Sequence, residues 1–207
     1  MDGENSLKGS SARLWKLVEQ RTQVGVDTAA IDRRIWDLFG EEWTVMFTDL
    51  SGFSRHVATF GIIHFLQIIL EQKRLLLPIV DTFDGVLIKT EADSFLILFK
   101  RAASAVACAV EMQRRCQNVN VRRAPEDQIV LCVGIGHGRI LKIGDADVFG
   151  HEVNLASKLG EDAAKGNEIL LTAAGKLAAG EVEGVAWENV AVDYAGESSC
   201  WRAVYRA

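Results

Sequence analysis

The sequence lacks an excess of positive charge: 23 Lys and Arg stand against 28 Asp and Glu, a formal net charge of -5. Broad electrostatic attraction to nucleic acid or to an anionic membrane is therefore not expected. No apolar run approaches the roughly 20 residues that a membrane-spanning helix needs. The opening stretch MDGENSLKGSS is polar and has no apolar core of a secretory signal. Cys108, Cys116, Cys132 and Cys200 form no close pair and no Cys-x-x-Cys spacing, so reduced thiols in a cytoplasmic protein are the expectation. The four histidines, at 56, 64, 137 and 151, are scattered, and none is spaced as a zinc ligand. There is no internal repeat.

What is present is a chain of 207 residues, 49% of them apolar, enough for one globular domain with a short extension. Residues 1–41 read as a disordered lead-in to about Ser11 followed by a helical preface, and 42–207 as the domain proper. The preface shows helical spacing at Leu14, Leu17 and Val18, then at Ile31, Ile35, Trp36 and Phe39 after an Asp27/Thr28 cap. Trp43, Val45 and Phe47 alternate with Thr44, Met46 and Thr48, the period of a strand. A helix follows, capped by Ser54 and broken near Gly61. Val86–Lys89 and Ser94–Phe99 form a hairpin around TEAD, and AASAVACAVEMQRRCQNVN is a helix. QIVLCVGIGHGRILKIG predicts a strand entering a glycine turn at GHG. A helix, HEVNLASKLGEDA, a short strand, NEILLT, and two more strands after Val185 complete the chain. The order βαββαβ with extra strands is an α+β class: a ferredoxin-like, antiparallel-rich sheet with helices on one face.

In a βαββ unit the first strand and the hairpin lie side by side, so Asp49, closing the strand, and Asp93, in the hairpin corner, meet at one sheet edge. Two close carboxylates repel and are costly to bury without a cation between them. Mg²⁺ or Mn²⁺ is the simplest such partner, since it takes oxygen ligands and leaves places for phosphate. The Ser51-Gly52 turn opens a helix whose free amides face the same spot. Taken singly, each aspartate is better read as an ordinary cap or turn residue.

FTDLSGFS, KTEADSF and DVFGHEVNLASKL, in this order and spacing from about Trp43 to Thr172, resemble the catalytic core of the class III nucleotide cyclases, the adenylyl and guanylyl cyclases. The resemblance implies a ferredoxin-like catalytic domain that pairs head to tail, with active sites at the interface. It implies that Asp49 and Asp93, with the Leu50 carbonyl, hold two Mg²⁺ or Mn²⁺ ions, and that the Ser51, Gly52, Phe53 and Ser54 amides cradle phosphate. Lys89 and Asp147 match the pair that reads the purine, in the form that fits ATP: an ammonium donates to adenine N1 and a carboxylate accepts from the 6-amino group. Asn154 matches the residue that orients ribose. Lys158 stands where the family carries an arginine that stabilises the transition state, keeping the charge but losing the two-pronged geometry. Arg139 matches a triphosphate contact.

Ala92 stands where the family usually has glycine before the second aspartate, and Ala195 falls where a C-terminal lysine would contact triphosphate. The resemblance thus implies a homodimeric adenylate cyclase forming cyclic AMP and pyrophosphate. A cyclase for GTP or a pyrimidine nucleotide, and a degenerate domain binding nucleotide as a sensor, stand as alternatives.

Overall fold

Residues 9–206 are described in a computed structural model, the side chains of residues 53–56 excepted. The disordered lead-in expected up to Ser11 lies mostly outside them, and helix has already begun at Ser10. Two helices come first, α1 (Ser10–Arg21) and α2 (Thr28–Phe39). Asp27 caps α2, its carboxylate accepting from the Ala30 amide at 3.0 Å. Leu14, Leu17, Ile35 and Phe39 are the buried positions of the two amphipathic stripes, and they close on Ile143.

The alternating run opens as β1 (Gly40–Leu50), which ends on the site. Next come α3 (Phe53–Phe60), α4 (Ile62–Thr82), the hairpin β2 (Val86–Glu91) and β3 (Ser94–Phe99), and α5 (Ala102–Asn120). Gly61 breaks α3 from α4 with φ 86°, as the sequence predicts. The chain continues through β4 (Leu131–Ile143), β5 (Asp147–Phe149), α6 (His151–Lys158) and a π-helical turn, Leu159–Ala163. It closes with β6 (Ile169–Leu171), α7 (Ala173–Ala179), β7 (Val185–Tyr194) and β8 (Glu197–Tyr205).

One sheet holds all the strands in the order β2-β3-β1-β4-β6-β8-β7, with β5 beside β4. The β2-β3-β1-β4 part is the expected βαββαβ arrangement; β4 and β6 run parallel, and the other neighbours antiparallel. Met46, Phe95, Ile97, Val133 and Ile135 turn to one face, where α4 and α5 bury Phe65, Leu76, Val106 and Met112 against them. The alternate residues Trp43, Val45, Leu96 and Leu98 turn to the other face, where the short α6 adds Val153 and Ala156. The period of two along the strands thus serves two cores.

The glycine turn predicted at GHG is corrected: Gly136, His137 and Gly138 lie inside β4, paired with Val45, Thr44 and Trp43. The glycines are there for contact with α6. A Cβ at Gly134 would collide with the Ala156 carbonyl and the Gly160 amide, and one at Gly136 would stand 2.6 Å from the Glu152 carbonyl oxygen. Glycine in a strand here marks close approach of another backbone. Glu152 completes the join, its carboxylate accepting from the His137 amide at 3.2 Å and the Thr172 hydroxyl at 2.7 Å. That fixes α6, the carrier of Asn154 and Lys158, on the sheet.

Candidate active site

β1 pairs with β3 from Thr44↔Phe99 to Thr48↔Phe95, which delivers the β2–β3 corner to the end of β1. Asp49 and Asp93 are thereby brought together as the sequence predicts. The Ser94 hydroxyl donates to Asp49 Oδ1 at 3.1 Å. Asp93 is 6% exposed, and its Oδ2 is buried with no hydrogen-bond partner. Burial, then the negative charge of Asp93, raise the Asp49 carboxyl to about 6; the Ser94 hydroxyl and the Leu50 amide pull the other way. The Asp93 carboxyl is also raised, chiefly by burial, against the lowering effect of its own amide and that of Leu50.

A pair of carboxyl groups held above their usual range, one with an orphaned oxygen, is the donor set of a hard divalent cation, so these residues fit Mg²⁺ or Mn²⁺. Among the described residues no group of three or more His, Cys, Asp or Glu converges to hold a metal ion. A cation held by the two carboxylates would take its remaining ligands from other oxygen donors.

The phosphate turn is narrower than expected. The Ser51 amide donates to the Val130 carbonyl oxygen at 2.8 Å and is spent in the sheet edge, which corrects the four-amide cradle. Gly52 takes φ 87°, a conformation natural to glycine, and is itself the N-cap of α3. The cap expected of Ser54 is corrected with it, since Ser54 lies inside the first turn. The amides of Phe53 and Ser54 stand at the helix start, where they have no intrahelical partner; the side chains of both lie outside the described residues.

Lys89 and Asp147 meet: Nζ lies 3.1 Å from Asp147 Oδ1 and 3.1 Å from Glu91 Oε1. The lysine lines a small cavity with Phe47, Glu91, Ser94 and Glu161. Burial lowers its pKa, but the two carboxylates outweigh burial and hold it above the ordinary value. Asn154 and Lys158 share an exposed face of α6, as their spacing of four requires. Lys158 is paired with Asp162 at 2.8 Å. No hydrogen bond or ion pair among the described residues joins Asn154 or Lys158 to Asp49 or Asp93.

Arg139 is not brought to the carboxylates. It pairs across β1 with Glu42, seven residues from Asp49 and so about 23 Å along the strand. There its guanidinium donates to the Trp36 carbonyl oxygen at 3.2 Å and lies 4.8 Å over the Trp36 ring. Other neighbours of the site escape a sequence reading. Glu161 adds negative charge beside Asp93, and Cys132 faces Asp49 across the ladder, its thiol pushed up to about 12 by burial first and by Asp49 second. Only the tertiary fold places them there.

Solved structures share the fold. The guanylyl cyclase Cya2 superposes with TM-score 0.67 at 23% identity, covering 79% of this chain and 92% of that one. The adenylyl cyclase CyaB of P. aeruginosa gives 0.69 at 19% identity, covering 81% and 96%. An adenylate/guanylate cyclase/hydrolase of Silicibacter pomeroyi gives 0.67 at 22%, covering 81% and 99%. The serine/threonine-protein kinase pkn2 of Myxococcus xanthus is 27% identical over 143 residues, 69% of this chain and 17% of that protein. The chain therefore spans less than a fifth of the length of this curated relative. Residues 39–194 match the adenylate and guanylate cyclase catalytic domain. Covering Asp49, Asp93, Lys89, Asp147 and the whole of α6, that match makes the chain a member of the class III nucleotide cyclases.

Proposed function

We propose that the chain acts as a homodimeric, cytoplasmic adenylate cyclase, converting ATP to 3′,5′-cyclic AMP and pyrophosphate with two Mg²⁺ or Mn²⁺ ions at each site. The observation that carries this reading is the meeting of Asp49 and Asp93, buried enough to raise both carboxyls and lacking a cationic partner. When bound there, the divalent ions supply Lewis acidity toward the ribose 3′-hydroxyl and charge neutralisation at the phosphates. The ribose 3′-hydroxyl gives up its proton to water, its oxygen attacks the α-phosphorus in line, the bond from that phosphorus to the bridging oxygen of the β-phosphate breaks, and pyrophosphate leaves.

The protein's part is positioning and charge. The amides that open α3 take phosphate oxygens. Lys89 donates to adenine N1 while Asp147 accepts from the 6-amino group, a reading supported by their ion pair at 3.1 Å. Asn154 holds the ribose, and Lys158 exchanges Asp162 for the charge that develops on the transferring phosphate. Within one chain no hydrogen bond or ion pair among the described residues joins Asn154 or Lys158 to the carboxylates, which is in keeping with a site shared by two chains.

A second substrate, GTP, has one observation in its favour. Glu91 adds another acceptor on Lys89, and a carboxylate there accepts from guanine N1–H and its 2-amino group.

Purified protein offered ATP, GTP, CTP and UTP singly, with Mn²⁺ or Mg²⁺, is expected to form cyclic AMP that disappears in Asp49→Ala. Cyclic GMP instead moves the base assignment to Glu91. No product from a dimeric, nucleotide-bound protein overturns the enzyme and leaves a nucleotide sensor.

A further inference from the structure

Helices α4 and α5 each carry a fully buried glutamine on the stripe that faces the sheet; the neighbours of Gln72 at helical spacing are all apolar, and those of Gln113 are apolar or small except Gln117. Gln72 lies between Ile68 and Leu76, and Gln113 between Ala109 and Cys116; both are 0% exposed. Each spends its amide nitrogen on a backbone carbonyl at the same end of the sheet. Gln72 Nε2 donates to the Asp93 carbonyl oxygen at 2.8 Å, and Gln113 Nε2 to that of Leu131 at 3.0 Å. In each the side-chain oxygen Oε1 is left buried without a partner. Burying an amide half-satisfied is costly, and an apolar side chain of the same shape removes that cost. The two therefore call for a reason other than packing.

The reasons differ between them. The Leu131 carbonyl also accepts from the Asn167 amide at 2.8 Å, so it stays paired without Gln113. Among the described residues Gln72 is the donor to the Asp93 carbonyl. That bond fixes the peptide between Asp93 and Ser94. One side of the peptide carries the Asp93 carboxyl; the other carries the Ser94 hydroxyl that donates to Asp49. The turn it grips also holds Ala92 at φ 49°, a conformation an alanine leaves readily unless the surroundings impose it. We infer that Gln72 is a positioning residue for the cation site, setting the Asp93 carboxyl and the Asp49–Ser94 pair through one hydrogen bond to the Asp93 carbonyl. The inference rests on the metal reading proposed above. It adds a residue to that site from the far side of the sheet edge.

Gln72→Met and Gln113→Met test it, since both keep the length and remove the amide. The readouts are melting temperature, Mn²⁺ affinity from the electron paramagnetic resonance signal of free Mn²⁺ with an ATP analogue blocked at the α–β bridge, and turnover. The 207-residue chain is used throughout. Gln72→Met is expected to melt no lower than wild type yet to bind Mn²⁺ about tenfold more weakly or worse, the usual cost of losing a group that orients a ligand. Gln113→Met is expected to hold its Mn²⁺ affinity within about twofold, because its carbonyl stays paired.

Equal weakening in both variants, or none in either, overturns the inference while leaving the cation site intact. Loss of fold in Gln72→Met and also in Gln72→Leu, with Gln113→Met folded, assigns Gln72 to the core and overturns it as well. A wild-type protein that binds no Mn²⁺ sinks the metal reading and takes this inference with it.

Discussion

Two hairpin tips in this molecule begin alike and end differently. The β2–β3 tip is Ala92-Asp93 and the β7–β8 tip Ala195-Gly196, and each opens with an alanine in the left-handed region, at φ 49° and φ 48°. Alanine there costs roughly 1–2 kcal/mol. At the C-terminal tip Gly196 follows at φ 87°, so both central residues are left-handed, as a two-residue hairpin that matches strand twist prefers. That tip is exposed and holds nothing. At the β2–β3 tip the second residue is an aspartate with ordinary φ, buried, its carbonyl held by Gln72 and its Oδ2 unpartnered. Backbone strain is common to both corners and so identifies neither. The buried carboxylate with one oxygen left unpartnered distinguishes the site.

The comparison breaks most sharply at the carboxylates. On the cyclase reading Asp93→Asn and Asp49→Asn each lower kcat by about a thousandfold, the loss of several kcal/mol of metal-borne stabilisation. Measured without metal, both variants melt higher than wild type, because the neutral amide relieves the repulsion of the pair. An activity loss joined to a stability gain is the signature of a site held against its own preference. A structural role for these residues predicts loss of both.

Next in size is the base pair. On the same reading Lys89→Glu takes away the proposed charged hydrogen bond to adenine and is expected to lower kcat/KM for ATP about 10- to 100-fold. The same change reduces the loss for GTP, which offers donors where adenine offers an acceptor. Equal losses for the two nucleotides remove Lys89 from base recognition.

A smaller effect follows pH. The folded pKa of Asp49 is raised to about 6, so its contribution to stability is full below the unfolded value and is lost as pH rises through about 6. Asp93 is shifted in the same direction and adds to the trend. Metal-free protein is therefore expected to melt a few degrees lower at pH 7.5 than at pH 5, about 1–2 kcal/mol after screening of the partly exposed Asp49. Mn²⁺ reverses the fall, since it binds the ionised pair. Calorimetry with and without the ion reads both, and a metal-free melting temperature that rises over the same interval contradicts the raised pair.

How much of this was legible in the sequence depends on how local each cause is. The spacing along AASAVACAVEMQRRCQNVN gave α5 with its bounds, Ala102–Asn120, because apolar spacing and the flanking corner are all local. The meeting of Asp49 with Asp93 was legible because a βαββ order fixes which strand ends are neighbours. The path of GHG was not: its glycines look like a turn until α6 is laid across them, and nothing near them in sequence announces that crossing. The short β5 and α7 have too few residues for a period to show. Gln72 interrupts an apolar stripe and reads as a blemish in it; its meaning comes from a carbonyl 21 residues away. Arg139 and Cys132 owe their neighbours to strand register, and Glu161 to the packing of the turn after α6.

The smallest expected effect returns to the two tips and separates strain from function. Ala92→Gly and Ala195→Gly each remove the left-handed penalty of an alanine and restore some freedom to the unfolded chain, so each gains about 0.5–1 kcal/mol, a melting shift of a few degrees at most. Their stabilities should therefore match. Their activities should not. At the C-terminal tip nothing is gripped, and Ala195→Gly leaves turnover unchanged. At the β2–β3 tip the alanine narrows the conformations open to the corner that carries Asp93. A glycine there widens them, and the burden of holding the carboxyl passes to the Gln72 bond. Ala92→Gly is then expected to keep activity within about threefold in the wild-type background and to deepen the loss when combined with Gln72→Met, a non-additive pair because both act on one peptide. Strict additivity would mean that the two residues hold different parts of the corner, and Ala92 would then be strain without a task, as Ala195 is.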